Sequence, residues 1–404
     1  MKFSSLTDRI AGDSVDTWDV HYRAMDRMEA GEDIIMLSVG QESDETTPAA
    51  IVQAAVNSLY SGRHHYTAVE GIDQLRNAIA ARHMRVTGQP VVAANCGVFS
   101  GAQNALFSVA QCLLESTDEV ILSEPYYTTY PATVTASGAT VISVAVEARN
   151  RFQIDPDAIA AAITPQTQMI LLNSPNNPTG AVYTREQFEA VVDLCLKHDI
   201  WLVSDEVYQE ILPQAGRFSP ASIARARDVC VTVSSLSKSH RMTGWRLGWV
   251  VAPEALIAHL SNLSMCMAYG LPTFIQDAAV EAIEHDTETA AVVRDAMGTR
   301  RQALVEVLEN VEGLDLYSAE GGMFVVFDIR ALPVTSQQFA NGLLDRYDVA
   351  ILPCDGFGAT GSGLLRLSLC VSEEKLVVAA GRIVEYVESI RSSVDKNQQC
   401  TDQV

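Results

Sequence analysis

The stretch Val231-Thr-Val-Ser-Ser-Leu-Ser-Lys238-Ser-His-Arg-Met-Thr-Gly-Trp-Arg246-Leu-Gly-Trp-Val250 holds one lysine between two apolar runs. The runs predict two core strands, and the serines and glycine between them predict a turn. A buried lysine has a lowered pKa, so its amine can attack an aldehyde and form an imine. Arg246, Ser235 and Ser237 carry groups that bind phosphate. The alternative is a plain turn with Lys238 in solvent, the usual place for lysine.

An aldehyde that also carries a phosphate is pyridoxal 5'-phosphate (PLP), and two other stretches offer groups for the rest of that molecule. Asp205 ends the apolar run 201–204, where a carboxylate needs a cationic partner such as a pyridinium nitrogen. Tyr208 is placed to donate to the ring hydroxyl. Asn177 lies in the loop 173–180, which two prolines hold rigid. The alternatives are a helix N-cap for Asp205 and a simple tight turn for the loop.

Strand-like runs and helical patterns alternate from about residue 48 to 285, which predicts an α/β fold. We expect a mostly parallel central sheet with helices on both faces, and ligands at the carboxyl ends of its strands. After residue 285 the pattern becomes that of a smaller α+β unit. The predicted parts are an N-terminal arm at 1–46 that packs with the small domain, a large PLP-binding domain at 47–285 and a small C-terminal domain at 286–404.

The composition argues against several classes of function. A net charge of −22 disfavours nucleic acid and anionic membrane surfaces as partners. No apolar run is long enough for a transmembrane helix, and the first residues lack a hydrophobic signal region, so we expect a cytoplasmic protein. The eight cysteines contain no Cys-x-x-Cys pair, which predicts reduced core residues without a disulfide framework or a metal site.

Taken together, the motifs resemble those of the fold-type-I, PLP-dependent class I/II aminotransferases, over nearly the whole chain. The resemblance implies that Lys238 bonds the cofactor aldehyde and moves the substrate α-proton, while Asp205 pairs with the pyridine nitrogen. It also implies that Asn177 and Tyr208 bind the ring oxygen of the cofactor and that Tyr127 stacks on its ring. The phosphate would be bound by Ser235, Arg246 and the helix-start amides of Gly101, Ala102 and Gln103.

The resemblance also implies contacts with the substrate and with a second subunit. Arg366, in Leu365-Arg-Leu-Ser368, matches the arginine that binds the substrate α-carboxylate, with the Gly40 backbone and Asn177 beside it. Tyr66 matches a tyrosine that reaches the phosphate of the neighbouring subunit, which implies a homodimer with shared sites. The implied reaction is a ping-pong transfer, through pyridoxamine phosphate, from an L-amino acid to a 2-oxo acid such as pyruvate.

A finer resemblance, carried by stretches such as Cys266-Met-Ala-Tyr-Gly270 and Gly321-Gly-Met-Phe324, is to arginine:pyruvate transaminases. The family usually reads Gly-x-Pro-Asp-Phe-x-Thr-Pro where this chain has the loop 40–48, and Arg241 stands where many members have a small residue. The alternatives are a broad aspartate/aromatic-type aminotransferase and a PLP β-lyase on the same fold. A guanidinium substrate needs a carboxylate, for which the candidates are Asp19, Glu42, Asp44 and Glu45.

Overall fold

The computed structural model describes residues 1–11, 15–42, 45–213, 216–286, 288–318 and 321–401. Among the helices it describes, none is both long and apolar enough to cross a membrane. The α-helices are α1 (Leu6–Arg9), α2 (Val15–Glu29), α3 (Ala49–Tyr60), α4 (Asp73–Thr87), α5 (Ala102–Leu113), α6 (Tyr130–Thr135), α7 (Pro156–Ala162), α8 (Arg185–His198), α9 (Glu254–Met267), α10 (Thr273–Glu284), α11 (Thr289–Leu308), α12 (Ser336–Tyr347) and α13 (Glu373–Thr401). The β-strands are β1 (Ile35–Met36), β2 (Cys96–Phe99), β3 (Glu119–Glu124), β4 (Thr140–Ala145), β5 (Thr167–Asn173), β6 (Trp201–Asp205), β7 (Cys230–Ser235), β8 (Gly248–Val251), β9 (Asp315–Tyr317), β10 (Phe324–Asp328), β11 (Val349–Ala350), β12 (Leu352–Pro353) and β13 (Leu364–Ser368).

The larger sheet has seven strands in the order β2-β8-β7-β6-β5-β3-β4. All pairs from β7 to β4 are parallel. Only β8 runs against its neighbours, since it is antiparallel to both β2 and β7. The predicted α/β fold with a mostly parallel sheet is therefore confirmed. The edge strand β2, which the sequence pattern did not indicate, is four residues long and contains Gly97.

The central strands of this sheet are buried on both faces. Ile170, Leu172 and Leu202 pack into the core on one face, and Leu171 and Val203 pack into the core on the other. Successive side chains of a strand point to opposite faces, so a sheet covered on both sides needs nearly continuous apolar strands. Burying each of these side chains stabilises the fold by about 1.5–3 kcal/mol. Polar groups at the ends of these strands are therefore fixed in position by a tightly packed sheet.

The smaller sheet, in the order β12-β13-β10-β9, is antiparallel and comes from the C-terminal part of the chain. The N-terminal segment packs against this part, because β1 pairs in parallel with β11. Helix α2 does the same through two arginines. Arg27 donates to a carboxylate oxygen of Asp348 at 2.6 Å, and Arg23 donates to the side-chain oxygen of Asn341 at 2.9 Å. These contacts bring the residues just after β1 to the edge of the larger sheet.

Candidate active site

Three neighbouring parallel strands end in polar residues at one edge of the larger sheet. Asn173 ends β5, Asp205 ends β6 and Ser235 ends β7, and Asn173 lies directly opposite Asp205 in the sheet register. The carboxyl ends of parallel strands are where such folds bind ligands. A cavity of about 200 Å³ opens there, lined among others by Gly40, Ala102, Gln103, Tyr127, Asn177, Asp205, Tyr208, Ser235, Lys238, Arg246 and Arg366.

Lys238 follows β7 and lines this cavity, where its amine Nζ donates to the backbone carbonyl of Gly40 at 2.8 Å. Burial lowers the pKa of Lys238. The thiol of Cys370 opposes that shift, and the charge of the Arg366 guanidinium adds to it. The lysine of the turn therefore faces the cavity instead of bulk solvent, and its amine reaches the neutral, nucleophilic form more easily than a surface lysine does.

Asp205 presents a buried carboxylate to the same cavity. Its Oδ2 accepts a hydrogen bond from the Tyr130 hydroxyl at 2.7 Å, and its Oδ1 accepts one from the backbone N–H of Val207 at 3.2 Å. Burial raises the pKa of Asp205 to about 6, against the opposing effect of these two hydrogen bonds. Asp205 therefore does cap the turn that follows it, but it is also a carboxylate that a cation in the cavity would stabilise.

Arg366 on β13 is buried and lines the same cavity as Lys238 and Asp205. It donates from Nη1 to the side-chain oxygen of Asn177 at 2.8 Å and from Nη2 to the backbone carbonyl of Ser38 at 2.5 Å. Its guanidinium carbon lies 4.1 Å from the centroid of the Phe324 ring. The Asn177 amide in turn donates to the Tyr208 hydroxyl at 3.4 Å. The Nε of Arg366 is buried and has no hydrogen-bond partner within the described part of the chain.

The start of α5 and Arg246 form the third wall. Gly101 caps α5 with a φ of 84°, and a Cβ at that position would overlap the Arg246 guanidinium. A Cβ at Gly248 on β8 would overlap the backbone of Ala102. Both glycines are needed for this close approach, which leaves the first backbone N–H groups of α5 beside Arg246. Helix N-termini bind anions through such groups, so this wall fits a phosphate.

The cavity has a partner for each part of PLP. An amine faces the position of an aldehyde, a buried carboxylate needs a cation such as a protonated pyridine nitrogen, and a glycine-lined helix start with an arginine suits a phosphate. The buried Arg366 with its unused Nε offers a planar donor for a substrate carboxylate. The residues present therefore fit PLP and an amino acid together.

Comparison with known proteins agrees with this geometry. The family model for aminotransferase class I and II matches residues 32–383. The chain belongs to the class I and II aminotransferases. It is a PLP-dependent transaminase, an enzyme whose substrates are amino acids and 2-oxo acids. The resemblance suggested by Lys238, Asp205 and Asn177 in the sequence is thereby confirmed at the level of the family.

Relatives of this aminotransferase differ in the substrates that their names give. The chain is 49% identical to the arginine–pyruvate transaminase of Pseudomonas aeruginosa over 95% of this chain and 97% of that protein. It is 35% identical to the aspartate/prephenate aminotransferase of Thermus thermophilus over 91% and 94%. The solved aspartate aminotransferase of Thermus thermophilus with maleate superimposes with a TM-score of 0.90, at 33% identity over 96% of this chain and all of that one.

Asp19 and Tyr66, two of the predicted site residues, do not line the cavity of their own chain. Asp19 is exposed on α2 and does not line the cavity, whereas the neighbouring Trp18 does. A contact of Asp19 with the substrate therefore stays a prediction. Tyr66 is 87% exposed and packs against Tyr269, with ring centroids 5.3 Å apart, outside the cavity of its own chain. Asp44 lies outside the described residues.

The aminotransferase also uses residues that the motifs did not indicate. Tyr130, whose hydroxyl binds Asp205, lies three residues after Tyr127 at the start of α6. The spacing from Tyr127 was a usable signal, because two aromatic residues three apart lie on one side of a helical turn. Ser38 and Phe324 orient Arg366 from distant parts of the chain, and no local pattern marks either of them.

A second cavity of about 480 Å³ adjoins the first. Gly40 and Lys238 line both cavities. Its wall includes two of the carboxylates considered for a basic substrate, Glu42 and Glu45, and also Arg241. The aminotransferase therefore has a polar, charged space next to the reactive lysine, on the side of the unusual 40–48 loop.

Proposed function

We propose that this aminotransferase transfers the amino group of L-arginine, or of another basic L-amino acid, to a 2-oxo acid such as pyruvate. The similarity to an arginine–pyruvate transaminase, at 49% identity over almost the full length of both proteins, carries the proposal. The aspartate-type relatives are 32–35% identical to the chain. The carboxylates on the wall of the second cavity are consistent with a cationic side chain.

In this proposal the residues of the first cavity divide the work of binding the cofactor. PLP, when bound, supplies an electron sink for the pair left as the α-proton departs. Lys238 holds the aldehyde end and carries that proton, and Asp205 keeps the pyridine nitrogen charged. The orienting contacts are Asn177 and Tyr208 at the ring oxygen, Tyr127 at the ring face, and Ser235, Arg246 and the amides of Gly101, Ala102 and Gln103 at the phosphate.

Arg366 anchors the α-carboxylate of the substrate, with the backbone of Gly40 beside it. The guanidinium is held by Asn177 and Ser38, so it is already oriented before a substrate arrives. An amino acid and a 2-oxo acid share the carboxylate that Arg366 binds. Both half-reactions can therefore use the same anchor, which is the structural basis of a ping-pong cycle.

We also propose a cytoplasmic homodimer with shared active sites, built from an N-terminal arm (1–46), a large domain (47–285) and a small domain (286–404). The exposure of Tyr66, outside the cavity of its own chain, supports a role at the phosphate of a second copy. The pairing of β1 with β11 supports the packing of the arm with the small domain.

L-Aspartate is the second candidate donor, because Arg241 lines the same second cavity as the carboxylates. The guanidinium of Arg241 approaches Glu45 only at 3.9 Å, and the buried Nε of Arg241 has no hydrogen-bond partner among the residues described. An arginine in that state is suited to a side-chain carboxylate. A panel of donors separates the two candidates.

The test is a stopped-flow measurement of the loss of cofactor absorbance when the PLP enzyme meets single amino acids. We expect the rate constant divided by the dissociation constant to be at least about tenfold higher for L-arginine than for L-aspartate or L-phenylalanine, the factor that about 1.4 kcal/mol of side-chain recognition gives. The same ratio measured with L-lysine and L-ornithine ranks the basic donors. Faster half-reactions with L-aspartate or L-phenylalanine would rule the proposal out.

A further inference from the structure

We infer that Glu42 selects the donor: its carboxylate oxygen Oε2 receives the guanidinium or ammonium group of the substrate side chain. This role rests on the proposed use of a basic amino acid by the enzyme. It gives that specificity to one residue of the 40–48 loop, where the chain departs from the usual family pattern.

The two carboxylate oxygens of Glu42 differ in their hydrogen bonds. Oε1 accepts a hydrogen bond from Nη1 of Arg300 at 2.6 Å. Oε2 is buried and accepts no hydrogen bond from any residue that the structure describes. The side chain is only 4% exposed, so water does not satisfy Oε2 in the way it does for a surface glutamate. A buried carboxylate oxygen without a donor is costly, and an incoming cation with N–H groups would remove that cost.

Glu42 also lies at the right place along the cavity. It is two residues after Gly40, whose carbonyl binds the amine of Lys238 at 2.8 Å. Two residues of chain span at most about 7 Å. Glu42 and Lys238 line the same cavity of about 480 Å³. A donor whose α-carbon lies beside Lys238 can therefore extend a long side chain toward Glu42 along this one cavity.

Arg300 prepares the carboxylate for this role. It is itself largely buried on α11, and its Nη1 donates both to Glu42 and to the backbone carbonyl of Leu369, at 3.2 Å. Arg300 thus fixes the orientation of Glu42 from one side only. The side that carries Oε2 is left for a second cation, and bidentate donors such as a guanidinium bind carboxylates well.

The rival carboxylates are less suited to the role. Glu45 lines the same cavity, but its side chain is 56% exposed and it already faces Arg241 at 3.9 Å. Exposed charge pairs contribute little because water screens them. Asp19 lies off the cavity on the exposed face of α2. Among the candidates that the structure describes, Glu42 is the one whose carboxylate is buried and has an oxygen without a hydrogen-bond donor.

The test compares Glu42→Gln with the wild-type holoenzyme in single half-reactions with L-arginine and with L-norleucine, an uncharged donor whose unbranched side chain ends two atoms short of the guanidinium nitrogens. One hydrogen bond to a charged group predicts a roughly 10- to 150-fold loss of kcat/KM for L-arginine, mainly through KM. We expect a change of less than about threefold for L-norleucine, because its side chain does not use Oε2. The matched comparison is Glu210→Gln, which removes another largely buried carboxylate, paired with Arg82 at 2.8 Å and lining neither cavity. We expect less than about a threefold change with either donor.

The outcomes separate the role of Glu42 from the proposed function. A wild-type enzyme that reacts slowly with L-arginine, L-lysine and L-ornithine alike overturns the proposed function itself. A wild type that prefers L-arginine, together with an unchanged Glu42→Gln variant, overturns only the role of Glu42. An equal loss with both donors, or a variant that no longer holds PLP, shows that Glu42 acts in folding and also overturns its role in selectivity.

Discussion

The hydroxyl of Tyr130 is expected to control the charge of Asp205, and Tyr130→Phe removes that hydroxyl alone. Its hydrogen bond to Oδ2 of Asp205, at 2.7 Å, lies in the buried interior and opposes the rise in the pKa of the carboxyl. Without it, the pKa of Asp205 rises further above about 6, and the charged form becomes less stable in the folded protein.

The size of the effect follows from the charge of the acceptor. A hydrogen bond to an ionised group contributes roughly 1.5–3 kcal/mol, and one between neutral groups about 0.5–1.5 kcal/mol. Above the pKa of Asp205 the Tyr130 hydroxyl binds a carboxylate, and below it a neutral carboxyl. The variant therefore loses more free energy of unfolding at about pH 8 than at about pH 5, because the higher pKa of its folded state makes ionisation more costly.

The assay is urea unfolding of the cofactor-free protein at these two pH values and at one protein concentration. The control is Tyr386→Phe, which removes another buried hydroxyl, bound by Arg346 at 3.2 Å, far along the chain in α13. An equal stability loss at both pH values would refute the reasoning.

Three further outcomes can be measured directly. Lys238→Ala should abolish formation of the 2-oxo acid product, and clear residual transamination would contradict the assignment. Burial raises the pKa of Glu206 from 4.5 to about 7, although the Ser219 hydroxyl donates a hydrogen bond to its carboxylate. The wild type therefore loses roughly 3 kcal/mol of stability as the pH rises through that range. Glu206→Gln should lack this loss when urea unfolding is measured at about pH 5 and pH 8. Gly101→Ala forces a Cβ against Arg246 at a φ of 84°, so PLP affinity should fall by about tenfold or more in a titration, and an unchanged affinity would show that this wall does not hold the phosphate.

Local sequence signals were sufficient for much of the fold and of the cofactor cavity. The apolar strands that end in Asp205 and Ser235 predict both a buried sheet and polar groups at the carboxyl ends of its strands, because each polar residue is adjacent in sequence to its strand. The same holds for the rigid loop around Asn177. These features depend on short stretches whose pattern can be read directly.

Contacts between distant residues could not be predicted in the same way. The bond of Tyr130 to Asp205 spans 75 residues, and that of Glu42 to Arg300 spans 258. The position of Asp19 outside the cavity has a local reason. Consecutive residues of a helix point about 100° apart, so once Trp18 faces the cavity its neighbour is turned toward solvent.

The pairing of β1 with β11 has a practical consequence for handling the protein. The segment after α2 carries Ser38, which holds Arg366, and Gly40, which holds Lys238. Residues 1–11 are almost wholly exposed in the chain and line neither cavity. A truncation that continues past β1 through Gly40 would remove the backbone carbonyls that accept hydrogen bonds from Arg366 and Lys238, so this segment cannot be trimmed without changing the cavity.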